Sequence, residues 1–233
     1  IRTFTTKPTD ADDKKDRAAG IVYLTAHQGM NRFVWDMRYS PTTRVKGKEA
    51  TAVAMSGPVA VPGSYQARLS LGATSMTQAF AVLADPRVTT SQEDFQAQFD
   101  MLIAIRDKIS ECNDTINRVV DIQKQVDGWL ERLDGKDDKV KEAGEALKKT
   151  LKAALDPIMV AGLKSGVEAL NHGMRLAAKL GNMAPVVYSA DFKPSQGATA
   201  VFAELSDKID EQMTQIQAVL EGDVTRFSKL VQE

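Results

Sequence analysis

Two rhythms of apolar positions divide this chain. From Ser64 to Leu71, Tyr65, Ala67, Leu69 and Leu71 alternate with Gln66, Arg68 and Ser70, the period of a strand with one buried and one wet face. Pro62-Gly63 before it and Gly72 after it are turn residues, so Met76 to Leu83 is predicted as the returning strand of a hairpin. Met30 to Tyr39 reads as a third, more apolar strand. It carries Asn31, Phe33, Trp35, Met37 and Tyr39 on one face and Val34 on the other, with Phe33 and Trp35 turned inward. Ile1 to Thr6 and Ile21 to Thr25 are shorter candidates on either side of a polar connection, Lys7 to Gly20. Antiparallel strands at this spacing predict a small β-sandwich of the immunoglobulin or fibronectin type, with Trp35 and Tyr65 in its core.

Beyond Ser91 the spacing changes to three and four. Thr90-Ser91-Gln92-Glu93 has the form of a capping box, a hydroxyl and a carboxylate three residues apart that satisfy each other's backbone donors. Phe95, Phe99, Leu102, Ile105, Ile109, Cys112, Ile116, Val119, Val126, Leu130 and Leu133 then form one stripe, closed by Asp134-Gly135. Such a helix is about 65 Å long at ~1.5 Å per residue, too long to stand without packed neighbours. Val140, Ala143, Leu147, Leu151 and Ala154 supply one, stopped at Asp156-Pro157, and a shorter helix near Gly166 to Leu180 continues that layer. After a loop over Gly181 to Lys193, Pro194-Ser195 opens a last helix carrying Phe202, Leu205, Ile209, Met213, Ile216, Leu220, Val224, Phe227 and Val231. The expected arrangement is up-down-up in three layers, the middle one broken. The fold class predicted is therefore α+β and multidomain. Residues 1–88 are expected to form an antiparallel β-sandwich, open to lacking its first strand, and residues 89–233 an antiparallel long-helix bundle.

Composition narrows the functional classes. Thirty basic and 31 acidic residues give a net charge of -1, with no global bias towards nucleic acid or an anionic membrane. That balance hides an asymmetry, because residues 1–90 hold 12 basic against 7 acidic residues and residues 91–233 hold 18 against 24. A hydrophobic content of 43% with 8 Pro and 15 Gly is enough for one or two true cores. The single cysteine, Cys112, excludes an internal disulfide and a multi-thiolate metal site. No apolar run reaches the roughly 18 residues of a membrane span. The start at Ile1, with neither a Met nor a charged-then-apolar leader, reads as that of a fragment or a processed product.

Candidate chemistry is sparse. The bases of near-neutral pKa, His27 and His172, fall in different predicted domains and in no motif, so surface or capping duty is the expectation for both. Cys112 lies on the buried stripe, where a small hydrophobe is expected rather than a reactive thiolate. Asp10, Asp12, Asp13 and Asp16 resemble the start of a calcium loop, but Lys14 stands at a ligand position and the glycine and final glutamate are missing, so a solvated loop is expected. Gly162-Leu163-Lys164-Ser165-Gly166 lacks the spacing and the preceding strand of a phosphate loop. Glu142 and Glu145 belong to an exposed charged face. No catalytic, cofactor-binding or metal-ligating residue is predicted, and no cofactor. Among aromatic residues that could stack on a sugar ring, Tyr23, Trp35, Tyr39 and Tyr65, the last and Trp35 are expected in the core. Trp129, near one end of the long helix, is the natural anchor for a partner helix. Trp129, Trp35 and Tyr39 are the binding candidates.

Three segments carry a resemblance: Gly29-Met30-Asn31-Arg32-Phe33-Val34-Trp35-Asp36-Met37-Arg38-Tyr39, then Pro62-Gly63-Ser64-Tyr65-Gln66-Ala67-Arg68-Leu69, then Asp85-Pro86-Arg87-Val88. In this order and followed by a long helix, they resemble the C-terminal region of bacterial sortilin-like, BNR-repeat β-propeller proteins, often labelled glycosyl hydrolases. The likeness implies a secreted or periplasmic protein whose propeller precedes Ile1 and carries any ligand or catalytic site. The Ser-x-Asp-x-Gly-x-x-Trp blade repeat is absent from this chain, so no propeller residue carries over. The expectation is a non-enzymatic accessory region that contacts the N-terminal propeller or another protein, with no nucleic-acid partner and no membrane span. The rival expectation is a carbohydrate-binding module attached to a glycoside hydrolase.

Overall fold

A computed structural model describes residues 1–8, 21–46, 52–133, 137–160, 168 and 171–232. Gly72, at φ 58, opens a two-residue turn that only a residue without Cβ enters without strain. The two strands it joins, β1 (Gly63–Leu71) and β2 (Thr74–Val82), pair antiparallel without a bulge, from Leu71 opposite Thr74 to Gly63 opposite Val82. The return strand thus starts two residues before the predicted Met76, because Gly72-Ala73 suffices to reverse the chain. Opposite residues share a face, so Tyr65, Ala67, Leu69 and Leu71 lie beside Phe80, Met76 and Val82, with Ser64, Gln66, Arg68, Ser70, Ser75 and Thr77 behind.

The other expected strands form no ladder. Thr6 and Leu24 make one parallel bridge and Arg38 and Val59 one antiparallel bridge, and β1–β2 is the one sheet among the described residues. Met30 to Tyr39 is not a strand: Met37 sits at φ 58, which breaks the alternation. Phe33 is not inward either but 37% exposed, packed on Phe4 with ring centroids 4.6 Å apart. From there two arms, residues 37–46 and 52–61, run side by side as a strap, joined by Tyr39 N–H to Pro58 O (2.9 Å), Thr42 N–H to Met55 O (3.0 Å) and Ala60 N–H to Met37 O (2.7 Å). Gly57 is buried between them, and a Cβ there would run into the Tyr39 carbonyl.

The helices are α1 (Gln92–Leu133), α2 (Asp138–Leu155), α3 (Leu176–Gly181), α4 (Met183–Val187) and α5 (Gln196–Gln232). The N-cap of α1 is Ser91, one residue beyond the predicted Thr90: its Oγ accepts from Asp94 N–H at 3.1 Å, while the Thr90 hydroxyl donates to the Asp191 carbonyl. Asp137 caps α2 through Lys139 and Val140 N–H, and Ser195 Oγ caps α5 through Ala198 N–H at 3.1 Å. Part of the expected loop after Gly181 is helical as α4, with Pro185 within its first turn, where a missing N–H breaks no helix bond. The calcium-loop-like aspartates, Asp134-Gly135 and Gly162 to Gly166 lie outside the described residues; of the helix expected over Gly166 to Leu180, residues 171–175 are not helical and α3 begins only at Leu176.

The apolar stripes are buried along most of their length. Ile105, Ile109, Cys112, Ile116 and Val119 of α1 meet Leu147, Leu151 and Leu155 of α2, Leu180 of α3, and Ile209 and Ile216 of α5 in one core. Helices α1 and α5 run parallel, linked by Lys108 to Asp210 at 2.7 Å and Arg118 to Gln217 at 3.1 Å. Helix α2 runs back between them, with Lys148 on Asp127 at 2.8 Å and Gly144 against Leu130 and Phe227. The molecule is α+β, with a two-stranded antiparallel sheet and long helices.

Candidate functional site

An aromatic cluster forms at the base of the hairpin. Trp35 meets Tyr65 and Phe80 edge-on, with centroids 6.3 and 6.2 Å away, and Tyr65 stacks on Phe80 at 5.9 Å. The indole N–H of Trp35 donates to Arg38 O at 3.0 Å, and Tyr65 Oη donates to Val61 O at 2.6 Å. Burial, with a smaller contribution from Tyr39, raises the Tyr65 phenol above its ordinary value. Tyr39 is half-buried and edge-on to Phe99 of α1, 4.7 Å between centroids. Arg38 crosses to the helices, its guanidinium 5.5 Å from the Tyr188 ring centroid. Trp35 and Tyr39, two of the three expected binding residues, therefore belong to one neighbourhood, but both rings pack on other aromatic rings of the chain and the Trp35 indole N–H is bonded within it.

Trp129 stands elsewhere. It lies thirty residues further along α1 than Phe99, roughly 45 Å at ~1.5 Å per residue. It is 40% exposed, with the Arg132 guanidinium 4.8 Å from the ring centroid, a cation–π arrangement. It borders a shallow cleft between α1 and α5 with Val126, Val224, Phe227 and Val231. The three candidates do not form one site.

Above the aromatic base the apolar face of the hairpin stands free. Leu71 is 84% exposed, Met76 73% and Leu69 66%, although the alternation marks them as the buried side. A cleft between the hairpin base and the helices is bordered by Met37, Pro62, Phe95, Gln98 and Tyr188. Gln98 Nε2 donates to the carbonyls of Val187, Ala190 and Phe192 at 2.9, 2.6 and 3.1 Å. The Asp85 carboxylate is held below its ordinary range by hydrogen bonds from Arg87.

The titratable candidates sit as follows. His27 is exposed in a turn that Asn31 closes, accepting from His27 N–H and donating to His27 O, both at 2.8 Å. His172 is exposed. The Cys112 thiol is fully buried and pushed up to about 12, first by burial and then by Glu111. Glu145 pairs with Lys148. Among the described residues no three or more His, Cys, Asp or Glu side chains are placed to hold a metal ion, and no helix is long and apolar enough to cross a membrane. The sequence reading missed Gln98, Asn113 and Asn117, three buried amides on α1, which no local pattern sets apart from the exposed amides of the same helix. Compared with protein-family models, with curated proteins and with solved structures, the chain finds no match.

Proposed function

We propose that this chain is a non-catalytic accessory region of a larger secreted or periplasmic protein, and that the apolar face of the β1–β2 hairpin is its contact surface for a β-propeller of that protein. The observation that carries this reading is the exposure of Leu69, Leu71 and Met76 along one face of a regular nine-pair ladder. A two-stranded hairpin is marginal in water unless its apolar side is covered, and contiguous exposed apolar patches mark contact sites. In this reading the hairpin is half of a small β-sandwich whose second layer comes from the covering chain, and the helices are a bundle that braces it. The resemblance supplies the propeller and the secreted setting.

The test is a calorimetric titration of this chain against the propeller proposed to precede it. Binding is expected, and Leu69→Asp with Met76→Asp should abolish it while leaving thermal stability within about 0.5 kcal/mol, since both side chains are exposed. Binding that survives the double substitution would move the contact elsewhere. The rival, a carbohydrate-binding module, needs an open ring face. Its signature is glycan binding that Trp35→Ala removes without loss of folding.

A further inference from the structure

We propose that Ser110, Asn113 and Asn117 of α1 form a binding seat for an extended polypeptide, read through its main chain, which the strap of this chain fills, and that this seat couples the hairpin to the helices. Ser110 Oγ accepts from Thr43 N–H at 3.1 Å. Asn113 Nδ2 donates to Thr43 O at 2.7 Å and to Val53 O at 2.9 Å, reaching both arms at once. Asn117 Oδ1 accepts from Lys46 N–H at 2.6 Å, and its Nδ2 donates to Arg44 O at 2.8 Å. Each of these five bonds ends on a main-chain atom of the strap, and the Thr43 hydroxyl and Lys46 ammonium add side-chain bonds to Asp114 at 3.5 Å and Asp121 at 2.7 Å on the same helix.

The register follows from geometry. Residues three and four apart on a helix lie one above the other, about 5.4 Å per turn. Ser110, Asn113 and Asn117 therefore stand on one side of α1 and meet Thr43, Arg44 and Lys46 in chain order. Asn113 is 1% exposed and Asn117 9%, and buried amides are costly unless bonded. Asn113 uses both amide protons on the strap although its own Oδ1 has no partner, which fits a group placed for the strap rather than for the core. Apolar contact adds to the hold, because Val45, Val53 and Met55 pack on the helical core. Val53 lies so close to Gly181 of α3 that a Cβ there would come within 2.7 Å of its Cγ1. Since the strap also carries Arg38, whose carbonyl holds Trp35, and Tyr39, which packs on Phe99, loosening the seat releases the hairpin base.

The proposal does not depend on what covers the hairpin. Its test uses the full chain, with amide hydrogen exchange and urea unfolding followed by Trp35 fluorescence (in Trp129→Phe) and by helical circular dichroism. Asn113→Ala is expected to accelerate exchange at Thr43 and Lys46 by about ten-fold or more, though Asn113 touches neither N–H, because the seat opens as a unit. In the parent the two unfolding signals are expected to coincide, and in Asn113→Ala the Trp35 midpoint is expected to fall to lower urea than the helical one. Exchange unchanged at Lys46, or two midpoints that shift together, would overturn the proposal. Should Asn113→Ala fail to fold, Ser110→Ala at the half-buried rim is held to the same two outcomes.

Discussion

Cys112 shows how far single residues can be read. Its place on the three-and-four stripe marked it as core, and it is buried between α1 and α5 with a thiol pushed up to about 12. In the native protein near pH 8 we expect no maleimide labelling on a timescale at which the urea-unfolded chain labels completely. The same shift makes stability depend on pH. The unfolded thiol ionises near its ordinary 9.0 and the folded one only near 12, so this contribution is intact below pH 9 and declines as pH rises towards 12. A denaturation series at alkaline pH, compared with Cys112→Ala, measures the difference, and equal slopes for the two proteins would exclude it. Trp35 was less legible. Its identity said aromatic core, and the fold half-buries it against Tyr65 and Phe80, but its indole N–H is spent on Arg38 O, a bond set by the reversal at Met37. Asn113 and Asn117 carried almost no signal, because an amide on a helix is ordinary until something is placed over it.

At the scale of elements, turns and caps were the most local and so the most readable. Pro62-Gly63 and Gly72 bound the hairpin where expected, and the apolar stripes of α1, α2 and α5 are the buried ones. Caps were read within a residue. Ser91→Ala, which removes the bond to Asp94 N–H, is expected to cost about 1 kcal/mol in thermal or urea unfolding. Equal losses in Ser91→Ala and Thr90→Ala would count against Ser91 as the cap. The extended segments before Pro62 were misread, for a physical reason. Alternation states only that a segment can be extended with two different faces, whereas a strand also needs a neighbour in register. The partner of residues 37–46 is the other arm of the strap and then α1, not a sheet.

At the scale of the whole molecule, long-range ties decide where the hairpin stands. Gln98 binds three carbonyls across residues 187–192 and so ties the start of α1 to the chain leading into α5. Gln98→Ala removes the amide donor from the buried Val187 carbonyl, while Ala190 O keeps its bond from Phe192 N–H, and we expect a loss of roughly 1–3 kcal/mol, read as a lower urea midpoint for helical circular dichroism. No change would mean that water replaces the amide without cost. The two compositional halves, one basic and one acidic, are joined by the strap as well as by the single passage through residues 83–91.

By itself the sequence determined the hairpin, the helical stripes and the absence of a recognisable reactive motif, because each rests on residues within a few positions of one another. The tertiary structure alone decided which alternating segments became strands, which amides were buried, and that Leu69, Leu71 and Met76 would be left in solvent. Those outcomes turn on pairing between residues 13 to 94 positions apart, where periodicity records that a side chain is apolar but not what will cover it.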